Sequence, residues 1–283
     1  MTILGDILNS AIHSWDDLGE GVLGDRWERL NDQTDLNEFG YDAFGYSPEA
    51  VKRILPLVAF LYHRYFRVVT KGLENLPEGR VLLVGNHSGQ LPFDALMMVS
   101  AVLLEGEPPR MIRSMVEKWI PALPFASTFF TRLGQVPGIP ANCIRLLNAE
   151  QGILVFPEGA RGISKSWEKR YQLQAFGQGF MRIALETQTP IVPLALIGAE
   201  EQAPSIANLE PLARRLGLPS FPITPFGLIP LPTRYHLHFG EPIRFRGDPN
   251  AEDALILRRV NKVKDTIQQM LEEGLRERTH IFR

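Results

Sequence analysis

The sequence predicts an α/β domain with a mostly parallel central sheet flanked by helices, and three observations carry that prediction. Short apolar runs alternate with longer segments of helical periodicity along most of the chain. Two of the short runs, Val81–Val84 (VLLV) and Ile153–Phe156 (ILVF), are continuously apolar, as strands covered on both faces require. A length of 283 residues with 45% hydrophobic content suits one large domain, or a domain with an extension, and argues against disorder over most of the chain.

Taken in order, residues 1–47 read as an acidic N-terminal extension and residues 48–283 as the main domain. Residues 1–50 hold 11 acidic and 2 basic side chains, net −9, against net +7 for residues 51–283. That basic body favours anionic partners such as phospholipid headgroups, a phosphorylated substrate or a coenzyme. The opening MTILGDILNSAIHSWDD has no basic segment followed by an apolar one, so no secretory signal is expected and a reducing cytosol is the default. Ile54–Tyr62 (ILPLVAFLY) falls short of the roughly 18 apolar residues of a membrane span. Flanked by Lys52, Arg53, Arg64 and Arg67, it reads either as a helix in the headgroup region or as a packing helix with snorkelling cations.

Strands are expected at Val81–Val84, Met111–Arg113, Ile153–Phe156, Ile191–Ile197 and Tyr235–Phe239. Helices are expected near Pro92–Leu104, Ala141–Asn148, Phe176–Thr187 and Ala254–Glu273. The uncharged stretch Leu216–Thr233 contains Pro219, Pro222, Pro225, Pro230 and Pro232, which break helix. It reads as an ordered apolar loop that covers an acyl-chain groove, dips into a membrane surface or wraps the core.

Several function classes drop out. A net charge of −2 lacks the basic footprint of a dedicated nucleic-acid binder. The single cysteine, Cys143, excludes an intramolecular disulfide and reads as a small core residue. The sequence has no G-x-x-x-x-G-K-[ST] loop, no G-x-G-x-x-G fingerprint and no G-x-S-x-G elbow. His236 and His238 share one face of a strand but lack an evident third ligand, so no metal site is expected.

The chemistry concentrates in two clusters, each following a predicted strand. In Val84-Gly-Asn-His-Ser-Gly-Gln-Leu-Pro-Phe-Asp94, Pro92 suits a first helical turn and Asp94 lies in that turn. If Asp94 accepts from one nitrogen of His87, the other is free to take a proton from a substrate hydroxyl. The plainer alternative is a helix-terminus aspartate and a turn histidine. In Val155-Phe-Pro-Glu-Gly-Ala-Arg-Gly162, Gly159 and Gly162 permit a sharp turn and close approach, and Glu158 and Arg161 supply an acceptor and a forked donor. Lys165, Lys169 and Arg170 continue the positive charge, in the manner of a solvated face.

Together the clusters resemble the glycerophospholipid acyltransferase family, which includes lysophosphatidic acid acyltransferases. Asn86-His87 to Asp94 is similar to its first motif and Phe156-Pro-Glu-Gly-Ala-Arg161 to its third, F-P-E-G-T-R. Phe129-Phe-Thr-Arg132 is similar to the second, which ends in a phosphate-binding arginine, and Ile191-Val-Pro-Leu194 to the fourth. The matches run in order over roughly residues 75–245. The chain departs from the family in placing six residues between His87 and Asp94, a longer gap than His-x-x-x-x-Asp, so the loop must bulge. Diacylglycerol acyltransferase-like proteins carry comparable N-H-S-G sequences. The family also often places a lysine where this chain reads Phe176-Gly-Gln-Gly179.

The resemblance implies an acyltransferase that moves a fatty acyl chain from acyl-CoA or acyl carrier protein to a glycerolipid hydroxyl. It implies catalysis by His87 and Asp94, substrate binding by Arg132, Glu158, Gly159 and Arg161, no metal and no cofactor beyond the acyl thioester co-substrate. The expected partners are that thioester donor, a glycerolipid acceptor and a membrane surface, with peripheral placement on its cytoplasmic face and no nucleic acid. A thioesterase using water, and a non-enzymatic lipid-binding protein, are the alternatives.

Overall fold

Seven strands form the central sheet of the computed structural model, which describes residues 21–31, 34–88, 92–117, 126–163, 165, 167–204, 207–208, 215, 222–223 and 229–282. They are β1 (Val69–Lys71), β2 (Val81–Gly85), β3 (Ile112–Val116), β4 (Val136–Pro137), β5 (Gly152–Val155), β6 (Ile191–Ile197) and β9 (His236–Phe239), in the order β1-β9-β6-β2-β5-β3-β4. From β6 to β4 every pairing is parallel, while β9 runs antiparallel to β6 and β1 parallel to β9. A two-stranded ribbon, β7 (Ala207–Asn208) with β8 (Pro222–Ile223), lies apart from this sheet.

The continuous apolar runs are explained by helices on both faces. Side chains alternate across a strand, so Val81 and Leu83 of β2 enter one core and Leu82 and Val84 the other. On β6, Val192 and Leu194 face the first core while Ile191 and Ala195 face the second. The first core is closed by α1 (Arg26–Asn31), α2 (Pro48–Phe60) and α3 (Phe93–Glu105) through Leu30, Leu55, Met97 and Ala101. The second is closed by α5 (Pro140–Asn148), α7 (Gly179–Thr187) and α9 (Asp253–Glu277). On α9, Ile256, Val260, Val263, Ile267 and Leu271 recur at helical spacing and are fully buried. The short helices α4 (Ala126–Arg132), α6 (Ala160–Ile163) and α8 (Ala199–Gln202) lie in the connections.

Boundaries shift where tertiary contacts intervene. The helix expected from Phe176 starts at Gly179, because the chain before it is tied to a neighbouring loop by Gly177 N–H donating to Pro157 O at 2.9 Å. The third strand runs on to Val116 and carries a buried arginine, since Arg113 pairs with Asp42 and Gln151 and lies over the Tyr46 ring. The edge strands β1 and β4, of 3 and 2 residues, have no apolar run to announce them.

The Ile54–Tyr62 run belongs to α2 and the π-helical turn after it. Ser47 caps α2 by accepting from Ala50 N–H at 3.3 Å, with Pro48 in the first turn. Val51, Leu55, Val58 and Tyr62 are buried, whereas Leu57 and Phe60 are exposed. Arg67 is turned inward, donating to the carbonyls of Tyr65 and Pro232. Of the proline-rich stretch, Pro222, Ile223 and residues 229–233 are described. Its end docks beside α2, where Tyr65 Oη donates to Pro230 O at 2.5 Å. Among the described residues, no helix is long and apolar enough to cross a membrane.

Candidate active site

His87 stands just past the carboxyl end of β2, where an α/β sheet opens to ligands. Asn86 fixes that exit: its side-chain amide donates to Leu196 O at 3.0 Å and its oxygen accepts from Leu196 N–H at 2.7 Å. The loop therefore leaves β2 clamped to β6. Seven residues on from His87, the first turn of α3 brings Asp94 back, with His87 Nδ1 at 2.5 Å from Asp94 Oδ2. The longer spacing is thus accommodated, with positions 89–91 outside the described residues.

The carboxylate accepts two further bonds, from Ser88 N–H at 3.0 Å and Ala95 N–H at 2.7 Å. An acceptor-only partner makes Nδ1 the protonated nitrogen and leaves the lone pair on Nε2. Asp94 is fully buried, whereas the His87 side chain is 18% exposed, so one edge of the ring is reachable and the carboxylate behind it is not. Phe156, at the end of β5, stacks on the imidazole with centroids 4.2 Å apart and planes at 16°.

The third-motif segment closes on the same backbone. Glu158 Oε1 accepts from His87 N–H at 2.9 Å, and Oε2 accepts from Gln174 N–H at 2.8 Å. Gly159 adopts φ +57°, a left-handed conformation that glycine tolerates. A Cβ on Gly162 would lie 2.7 Å from His87 Cβ and 2.9 Å from His87 O, so only glycine lets the two loops meet. Arg161, exposed on α6, is steadied by Ala175 O at 3.0 Å.

Arg132 is placed differently. Its Nη1 donates to Gly45 O at 3.1 Å and its guanidinium lies 3.5 Å over the Tyr41 ring, so its contacts are with the segment before α2 rather than with the His87 cluster. The fourth-motif residues lie on β6, in register with β2.

Sequence reasoning passed over three participants. Asn86 and Phe156 sit inside the quoted motifs, where side-chain type alone does not reveal a clamp or a stacking partner. Lys165 has the sequence pattern of a solvated charge run, yet its side chain is 4% exposed and lies between Glu200 and Glu158. A cavity of about 780 Å³ lies at the amino ends of β2, β3 and β5, lined by Gly79, Met111 and Gly152 among others. It is at the opposite end of the sheet from His87. Among the described residues, no group of three His, Cys, Asp or Glu side chains has the arrangement of a metal site.

Known proteins are similar to this chain in sequence and fold. Residues 67–197 match the Acyltransferase family. The uncharacterized protein Rv0502 of Mycobacterium tuberculosis is 38% identical over 273 residues, 92% of this chain and 75% of that one. A probable 1-acyl-sn-glycerol-3-phosphate acyltransferase of Mycoplasma pneumoniae is 30% identical over 164 residues, covering 54% of this chain and 59% of its own. The crystal structure of the 1-acyl-sn-glycerophosphate acyltransferase PlsC from Thermotoga maritima aligns with a TM-score of 0.50 and 18% identity, over 80% of this chain and 81% of that one. Residues 67–197 thus belong to the Acyltransferase family, and the chain is an acyltransferase-like enzyme with similarity to 1-acylglycerol-3-phosphate O-acyltransferases.

Proposed function

We propose that His87 acts as general base in transfer of a fatty acyl chain from acyl-CoA or acyl carrier protein to the hydroxyl of a lysophospholipid or related glycerolipid. The observation that carries this reading is the 2.5 Å contact from His87 Nδ1 to the buried Asp94 carboxylate, at the carboxyl end of a central strand. Nε2 takes the hydroxyl proton as the oxygen attacks the thioester carbonyl, and Asp94 stabilises the imidazolium. The tetrahedral intermediate collapses with loss of the thiolate, which receives the proton from Nε2. The amides of His87, Ser88 and Ala95 already serve carboxylates, so the oxyanion draws its donors from elsewhere. No metal or resident cofactor enters this scheme.

Arg161, exposed beside Glu158, holds a phosphate of the acceptor or of the coenzyme, with Gly159 shaping the approach. Arg132 takes a share of the same anion while anchored on Tyr41 and Gly45. Purified protein with labelled palmitoyl-CoA and a panel of glycerolipid acceptors, its products resolved, tests the reading. Acceptor-dependent labelled lipid is expected, whereas steady fatty acid release without acceptor would make the enzyme a thioesterase. With a phosphorylated acceptor, Arg161→Ala should raise the acceptor KM far more than the donor KM; the opposite pattern assigns Arg161 to the coenzyme.

A further inference from the structure

Glu158 joins two separate segments, since its oxygens take amide protons from His87 and from Gln174. Its side chain is fully buried, and a carboxylate in such a place needs its charge balanced. Two amide dipoles supply part of that balance. The nearby ammonium is that of Lys165, 3.7 Å from Oε2. The same Nζ donates to Glu200 Oε1 at 2.8 Å, on α8, and the Lys165 and Glu200 side chains are 4% and 6% exposed. Burial pushes the Glu200 carboxyl up, and Lys165 opposes that push. One ammonium thus serves two buried carboxylates from different elements. Without it the two carboxylates repel each other across a poorly solvated site.

We propose that Lys165 is a positioning residue for acyl transfer: it holds the Glu158 carboxylate in place as a double acceptor, and Glu158 in turn holds the His87 backbone against Phe156 and Asp94. The proposal rests on His87 being the general base. At 4% exposure Lys165 is closed to substrate phosphate, so it acts through Glu158. It supplies a buried cation in a chain whose Phe176-Gly-Gln-Gly179 segment carries none.

Steady-state kinetics on the full chain, with Lys165→Met, Lys165→Arg, Glu158→Gln and the Glu158→Gln/Lys165→Met pair, test this. Lys165→Met should lower kcat by about 10- to 100-fold, the range for a small displacement of a catalytic group, with both KM values little changed. Lys165→Arg should recover part of the loss. In the Glu158→Gln background, where no Glu158 charge remains to be held, Lys165→Met should change kcat by no more than about twofold. Lys165→Met/Glu200→Gln, which removes the repelling carboxylate, should melt higher and turn over faster than Lys165→Met. Wild-type kcat in Lys165→Met, an equal loss in both backgrounds, or no gain from Glu200→Gln in either melting or rate would overturn the proposal. His87→Ala with wild-type kcat would instead remove the general-base assignment, while the Lys165–Glu158 coupling is still read from the cycle.

Discussion

In the proposed mechanism His87 and Asp94 divide one task, and each makes its own prediction. A general base contributes about 10² to 10⁴ in rate, so His87→Ala should lose a factor of that order in kcat. The side chain is partly exposed and near the surface of the site, so the variant should melt close to wild type. Asp94→Asn keeps the size of the side chain but removes the charge opposite the imidazolium. It should lower kcat strongly and leave acyl-donor affinity largely intact, as read by donor titration. Near wild-type turnover in Asp94→Asn would leave the carboxylate as a ligand of the Ser88 and Ala95 amides only. The choice between catalytic pair and helix-end aspartate was open in the sequence, where the residues lie seven positions apart. The first turn of α3 brings the two side chains into contact by placing the carboxylate on Nδ1, the geometry that the catalytic pair requires.

At the scale of elements, β9 and α9 show how a strand histidine becomes a stability group. Burial pushes His236 down to about 4, aided by Arg234 and His238, and pushes His238 down as well, aided by Lys71. The ordinary value of 6.5 applies in the unfolded chain. Between these limits the unfolded state binds more protons than the folded state, so stability rises with pH through that window and falls as pH drops from about 6.5 toward 4. Denaturant unfolding at pH 7 and pH 5 should show the drop, and His236→Gln should flatten it. An unchanged difference would mean that other groups carry it. Gly274 of α9 has the same origin: a Cβ there would press on Ile197 and the His238 ring, so helix and sheet approach at a glycine.

Over the whole molecule, two features singled out for membrane contact prove to be neighbours. Tyr65 and Arg67, just after α2, bond the carbonyls of Pro230 and Pro232. Leu57 and Phe60 on α2, Phe129 on the adjacent α4, and Ile229 are exposed apolar side chains. Cations at an anionic surface contribute about 1 kcal/mol each and are screened by salt, whereas apolar insertion is not. If the enzyme works at a bilayer surface, sedimentation with anionic vesicles should weaken at high salt without vanishing. Leu57→Ser/Phe60→Ser should then reduce the salt-resistant fraction. Binding that disappears with salt, or that the double substitution leaves intact, would place the contact elsewhere. Phe221, Phe226 and Leu228, the other apolar candidates of the proline-rich stretch, lie outside the described residues.

The sequence by itself determined the α/β order, the strands buried on both faces, the long amphipathic C-terminal helix and the positions of the two motif loops. These are properties of local period and of residues that nothing but a turn or a site would place together, such as His87 and Glu158. Tertiary structure decided the rest. The burial of Lys165 beside Glu200, the anchoring of Arg132 on Tyr41 and the bond from Arg67 to Pro232 each depend on a partner supplied by a distant segment. A long cationic side chain has the same local pattern in either case. Its charge is stable wherever an acceptor or ring is brought to it, and that is settled only when the chain has packed.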